Sequence, residues 1–264
     1  MIQSNVYHKA FNFPVGEMQV SVPSHAISGR NILDAEFQFT KNEDIIELLL
    51  LVDAAKRQGH RLGRLTMPYV PFSRQDRCNA PGEAFSLKVF CDLINSMGWE
   101  SVGITDPHSD VTPALLNNCV VRPQWDVIAR LINNHMRCPF YLVSPDAGAL
   151  KKIYKLAENL NHDTTPGYRG VIEASKSRNV KTGAITGSVV HATSLPSNVT
   201  YAIVDDICDG GRTFIELAKV MREMGAETIH LYVTHGFFTK GKGVFKDIID
   251  EVYEVYDYSQ KGTV

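Results

Sequence analysis

Short apolar runs alternate with amphipathic stretches along most of the 264-residue chain, and that order constrains its fold more than any other feature. Phe90, Leu93, Ile94 and Met97 recur at helical spacing, and Gly98 follows as a stop. The same spacing places Leu150, Ile153, Tyr154 and Ala157 on one helix, and Phe214, Leu217, Ala218 and Met221 on another that ends before Gly225. Between them, residues 65–69, 101–105, 140–143, 201–204 and 228–233 read as strands. Strands alternating with helices predict an α/β protein of mainly parallel sheet joined by right-handed crossovers. The pattern restarts near Arg122 to Asp126, so two units are expected, 1–124 and 125–264.

Composition removes several function classes. With 44% hydrophobic residues the chain can bury one large core or two modest ones. Lys plus Arg number 27 against 29 Asp plus Glu, a net charge of −2 that marks no nucleic-acid surface. The longest apolar run, Ile45 to Val52, is broken by Glu47 and falls short of the roughly 20 residues that span a bilayer. No membrane association is expected. The five cysteines form no C-x-x-C pair and no basic-then-apolar leader opens the sequence, so the expected setting is the reducing cytoplasm.

In open parallel sheets, ligands gather outside the carboxyl ends of strands. Asp106-Pro107-His108, Ser144-Pro145-Asp146, Asp205-Asp206 and Thr234-His235-Gly236 each follow an expected strand. Any one of these aspartates reads equally as a helix cap; four such clusters are harder to assign to capping. The stretch "AIVDDICDGGRTF" (202 to 214) carries the most chemistry. Asp209, Gly210, Gly211, Arg212 and Thr213 lead into a helix, where backbone N–H groups converge on an anion. Asp205 and Asp206 carry the opposite charge, and adjacent acceptors of that kind suit a vicinal diol or a hydrated Mg²⁺. A diol acceptor one turn before a phosphate turn describes a ribose phosphate.

The sequence here resembles the ribose-phosphate pyrophosphokinases, a family with a type I phosphoribosyltransferase-like fold in two similar domains. The motifs run in family order over nearly the whole chain: "FPVGEMQV" (13 to 20), "NEDIIELLLLVDAAKRQG" (42 to 59), "PYVPFSRQDR" (68 to 77), "GEAFSLK" (82 to 88), "DPH" (106 to 108), "SPDAG" (144 to 148), "SKSR" (175 to 178), the D-D stretch and "THG" (234 to 236). The joint presence of R-Q-D-R and D-D-x-x-D is specific. The resemblance implies transfer of the diphosphoryl group of ATP to the anomeric hydroxyl of ribose 5-phosphate, releasing AMP, with Mg²⁺ required.

It also assigns residues. Phe13, Glu17, Arg74, Gln75, Asp76, Arg77 and His108 correspond to the ATP side, and the arginines read independently as forked phosphate donors. His108 and Asp146 correspond to metal-associated residues. Lys176 and Arg178 sit in "EASKSRNVKTG" (173 to 183), which reads as a loop between strands, and by resemblance close over the reacting phosphates as the catalytic cations. Asp205, Asp206, Asp209, Gly210, Gly211, Arg212 and Thr213 correspond to the ribose and phosphate side.

Some positions depart from the family pattern. Gly210 stands for a threonine and Arg212 for a glycine in the phosphate turn; Val15 replaces an acidic residue near the adenine, and Pro107 a leucine. An arginine there either adds a fork to the bound phosphate or projects outward to meet further charge, as in an acceptor such as ADP-ribose. Family ATP sites are completed by a neighbouring subunit through the Phe13 segment, which implies a homo-oligomer built from dimers. The expected partners are small molecules. A phosphoribosyltransferase shares D-D and the glycine turn without needing R-Q-D-R, and a non-catalytic regulatory relative would have no chemical reason to keep Lys176, Arg178 and His108.

Overall fold

The computed structural model describes residues 1–23, 31–162, 165, 167–178 and 185–259. The chain divides into two compact units, Met1–Arg122 and Pro123–Val264.

In the first unit the sheet order is β1 (Ile2–Ser4), β4 (Ile32–Phe37), β5 (Arg61–Met67), β6 (Ser101–Thr105) and β7 (Cys119–Arg122). β1 is antiparallel to β4 and the remaining pairs are parallel. Alternation decides which way the strands face: Leu33, Ala35 and Phe37 of β4 and Val102 and Ile104 of β6 are buried. They share one core with Leu48, Leu51, Val52 and Ala55 of α1 (Glu43–Arg57) and Leu87, Phe90, Ile94 and Met97 of α2 (Ser86–Met97). Gly98 takes the left-handed conformation, φ 81°, that ends α2 where the sequence expects a stop. A separate hairpin, β2 (Lys9–Asn12) with β3 (Met18–Ser21), carries the 13–17 segment at its tip. A short helix, α3 (Val111–Leu115), follows β6.

The second unit has the order β10 (Ile185–Val190), β9 (Tyr168–Arg178), β8 (Phe140–Ser144), β11 (Thr200–Cys208), β12 (Thr228–Gly236) and β13 (Glu251–Asp257). All pairs are parallel except the β9–β10 hairpin. Tyr201 and Ile203 face a core shared with Phe214, Leu217, Ala218 and Met221 of α6 (Arg212–Glu223). Ala202 and Val204 face the opposite core, built on α4 (Gln124–His135) and α5 (Leu150–His162). A sheet buried on both faces explains why these strands read as continuous apolar runs.

Two sequence expectations are corrected. β11 and β12 run on to Cys208 and Gly236, because their parallel register continues through Ile207↔His235 and Cys208↔Gly236. Asp205, Asp206, Thr234 and His235 therefore lie inside strands, their backbones paired, rather than after them. The "EASKSR" part of the expected loop is strand as well, paired antiparallel with β10 from Ala174 to Arg178. The rest of that loop, 179–183, lies outside the described residues, as does the side chain of Arg178.

Candidate active site

Asp205 and Asp206 are adjacent on β11, and their carboxyl groups lie close enough to interact. Asp206 continues the Ala202–Val204 line toward α5 and is 5% exposed. Lys152 of α5 meets it there, Nζ 3.5 Å from Oδ2. Asp205 is partly accessible, and its Oδ1 accepts the Asp206 backbone N–H at 2.8 Å. Burial, then the neighbouring Asp206 carboxylate, then the more remote charge of Asp146 hold Asp205 well above the usual carboxylate range. The shift favours the protonated form of Asp205, which can donate as well as accept a hydrogen bond.

Asp146 closes the loop after β8. Its Oδ1 accepts from the Gly148 and Ala149 N–H groups at 2.9 and 3.1 Å, and its Oδ2 from Lys176 Nζ at 2.6 Å. Burial raises its pKa, but the Lys176 ammonium and the two N–H donors outweigh it, so the net shift is downward. Lys176 stands on β9, and its hairpin is tied to α5 by the Tyr154 hydroxyl donating to Glu173 at 2.8 Å. His191 and Ser175 bond across the same hairpin at 2.9 Å.

The glycine turn is built from both ends. Gly211 has φ 76° at the start of α6, and a Cβ there would lie 2.6 Å from the Phe245 ring, so the position accepts glycine alone without displacement. The chain after β12 folds back over the turn: the Phe237 and Phe238 N–H groups both donate to the Cys208 carbonyl, and Thr239 Oγ1 donates to Asp209 Oδ1 at 2.7 Å. The first N–H groups of α6 open onto this turn. Arg212 does not fork into it. Its side chain is 80% exposed and its Nε donates to Glu216, one helical turn on, at 2.6 Å.

In the first unit, Asp76 is the organiser of R-Q-D-R. Its buried carboxylate takes two bonds from Arg77, 2.8 and 3.2 Å, and is held down to about 2 by Arg77 first, against the cost of burial, with help from Ser109 and His108. Arg74, Gln75, Arg77 and His108 remain exposed around it. The loops 74–77 and 106–109 are thereby joined. At the hairpin tip, the Phe13 N–H donates to the Glu17 carbonyl, and Phe13 packs edge-on against Phe11 with centroids 5.2 Å apart, both rings exposed.

Among the described residues no three His, Cys, Asp or Glu side chains cluster as a metal cage. Mg²⁺ needs none, since it keeps most of its waters and takes one or two carboxylates plus substrate phosphates. Asp146 and the Asp205–Asp206 pair are oxygen donors of that kind; His108 stands in the first unit. Sequence reasoning missed Lys152, although a lysine among the apolar positions 149, 153 and 156 of an amphipathic helix signals a buried charge partner.

Comparison with known proteins gives the context. Residues 124–256 match the phosphoribosyl transferase domain model, and residues 3–98 the model for the N-terminal domain of ribose phosphate pyrophosphokinase. The chain is 30% identical over 236 residues to the ribose-phosphate pyrophosphokinase of Thermococcus kodakarensis, spanning 87% of this chain and 77% of that one. It is 27% identical over 244 residues to that of Mycoplasmopsis pulmonis, spanning 91% and 73%. The crystal structure of phosphoribosylpyrophosphate synthetase from Mycobacterium smegmatis shares the fold, with a TM-score of 0.75 at 22% identity, covering 94% of this chain and 80% of that one.

Proposed function

Because the chain belongs to the ribose-phosphate pyrophosphokinase family, and is thus a diphosphokinase-type transferase, we propose that it moves the diphosphoryl group of ATP onto the anomeric hydroxyl of a ribose bearing a 5-phosphate. The observation that carries this reading is the Asp205–Asp206 pair on β11, one turn before the glycine turn that opens α6. The carboxylates take the vicinal hydroxyls and the turn takes the 5-phosphate. The anomeric oxygen then bonds to the β-phosphorus of ATP, and the bridge to the α-phosphorus breaks. AMP leaves with the bridging oxygen, and the hydroxyl proton passes to solvent.

Little covalent work falls to the protein; it must position the reactants and offset charge. Lys176, with Arg178 beyond it on β9, supplies cations to the transferring phosphoryl group. Arg74, Gln75, Arg77 and His108 hold the triphosphate, and Phe13 with Glu17, from a neighbouring subunit of a dimer-built oligomer, completes the adenine contact. Asp146 would hold Mg²⁺ on this side, and the ion would supply further neutralisation of the phosphates. The five free thiols fit a cytoplasmic enzyme.

Ribose 5-phosphate is the family's acceptor. A second reading, ADP-ribose, draws on Arg212: its exposed side chain lies along the helix flank against Glu216, from where it could reach charge beyond a bound 5-phosphate. Acceptor-dependent AMP release from ATP and Mg²⁺, with kcat/KM compared for ribose 5-phosphate and ADP-ribose, tests both. A higher value for ADP-ribose assigns Arg212 to acceptor choice; a higher value for ribose 5-phosphate makes it a local variation.

A further inference from the structure

The cations around the acceptor side of the second unit are nearly all engaged. Arg212 holds Glu216 at 2.6 Å; Lys152 holds Asp206 at 3.5 Å; Lys176 holds Asp146 at 2.6 Å. Lys242 holds Glu254 at 2.6 Å and lies 4.8 Å from the Phe238 ring centroid. Lys240 differs. It makes no ion pair or side-chain hydrogen bond with any described residue, yet it is not loose in its placement. Its Cγ, Cδ and Cε lie 3.8, 3.6 and 3.5 Å from where a Cβ of Gly210 would stand. The stem is laid along the glycine of the turn, and the residue is exposed.

The segment that carries Lys240 is fixed to the turn at several points. The Phe237 and Phe238 N–H groups bind the Cys208 carbonyl at 2.8 and 3.2 Å, and Thr239 bonds to Asp209 at 2.7 Å. The Gly241 N–H returns to the Phe238 carbonyl at 2.6 Å, closing a tight loop around residue 240. A held backbone lowers the entropy lost when a lysine engages an anion. A lysine side chain beside convergent N–H groups is an arrangement that suits a phosphate oxyanion.

We propose that Lys240 is a binding residue for the acceptor, lying over the 5-phosphoryl group that ribose 5-phosphate and ADP-ribose share. This rests on the diphosphoryl-transfer reading and deepens it. Lys240 serves the phosphate inside the turn, whereas Arg212, turned to the helix flank, serves charge beyond it. The two residues therefore have different signatures: loss of Lys240 weakens both acceptors alike.

The test is calorimetric binding of ribose 5-phosphate and of ADP-ribose, without ATP, to the whole chain and to Lys240→Met and Lys240→Arg. Methionine keeps the apolar stem over Gly210, so the variant keeps its fold, checked by an unchanged Tm. The expected result is about a tenfold weaker Kd for each acceptor that the parent protein binds in Lys240→Met, within about threefold of the parent in Lys240→Arg. In turnover, the acceptor KM rises by a like factor while kcat and the ATP KM hold. Unchanged acceptor binding in Lys240→Met, with the parent active, overturns the assignment and leaves the transfer reading standing. A parent that binds neither acceptor and releases no acceptor-dependent AMP overturns both.

Discussion

Lys176 Nζ lies 2.6 Å from Asp146 Oδ2, so the cation proposed for the transferring phosphoryl group rests on the carboxylate proposed for the metal side. Both partners are about one-quarter exposed, 26% and 25%, which makes the pair stronger than a surface bridge yet open to exchange. Lys176→Ala is expected to lower kcat by about 10³-fold with the fold kept and a modest fall in Tm from the lost Asp146 partner. Single-turnover AMP formation checks it, and unaltered turnover would remove Lys176 from the chemistry.

Asp205 holds its proton more tightly in the folded chain than in the unfolded one, through burial and the adjacent Asp206. A raised folded pKa means that stability is lost as pH rises above the ordinary carboxylate value of about 4. Asp205→Asn is therefore expected to raise Tm at pH 8 by about 2–4 °C and leave it unchanged at pH 3, while weakening acceptor binding. Thermal melts across pH decide it; a lower Tm at pH 8 would contradict the shift.

Asp76 runs the other way. Arg77, Ser109 and His108 hold it at about 2, so its contribution is complete above about pH 4 and is lost as pH falls toward 2. Asp76→Asn should flatten that acid limb of the stability curve and raise the KM for ATP by about tenfold, since it releases Arg77. An unchanged ATP KM would separate the loop's architecture from ATP binding.

Gly211 meets two constraints at once, φ 76° and the Phe245 ring 2.6 Å from its would-be Cβ. Gly211→Ala should cost about 1–3 kcal/mol in urea unfolding, whereas Gly210→Ala, whose nearest neighbour is the Lys240 stem at 3.5 Å, should cost less. Equal costs would contradict the packing described.

Much of this was legible in the sequence, because helical and strand periods are local. α2 stops at Gly98 and β6 spans 101–105 as the spacing indicates. The ends of β11 and β12 were not legible: the pairing Cys208↔Gly236 brings together residues 28 apart in sequence, and polar residues such as Asp205 and His235 read as loop until that register is known. Asp205–Asp206 and the glycine turn could be singled out from residue type. Lys152 and Lys240 could not, since one is placed by the packing of α5 on the sheet and the other by a fold-back over Gly210. Asp76 was legible as part of its motif, but its role as the clamp on Arg77 and Ser109 needed the two loops in space.

The central claim is transfer to an anomeric hydroxyl, and ³¹P NMR of the product tests it most directly. With ATP, Mg²⁺ and the better of the two acceptors, one equivalent of AMP should form for each new diphosphate ester coupled to the anomeric proton of ribose. AMP with free diphosphate, or ADP with a phosphorylated acceptor, would contradict the account.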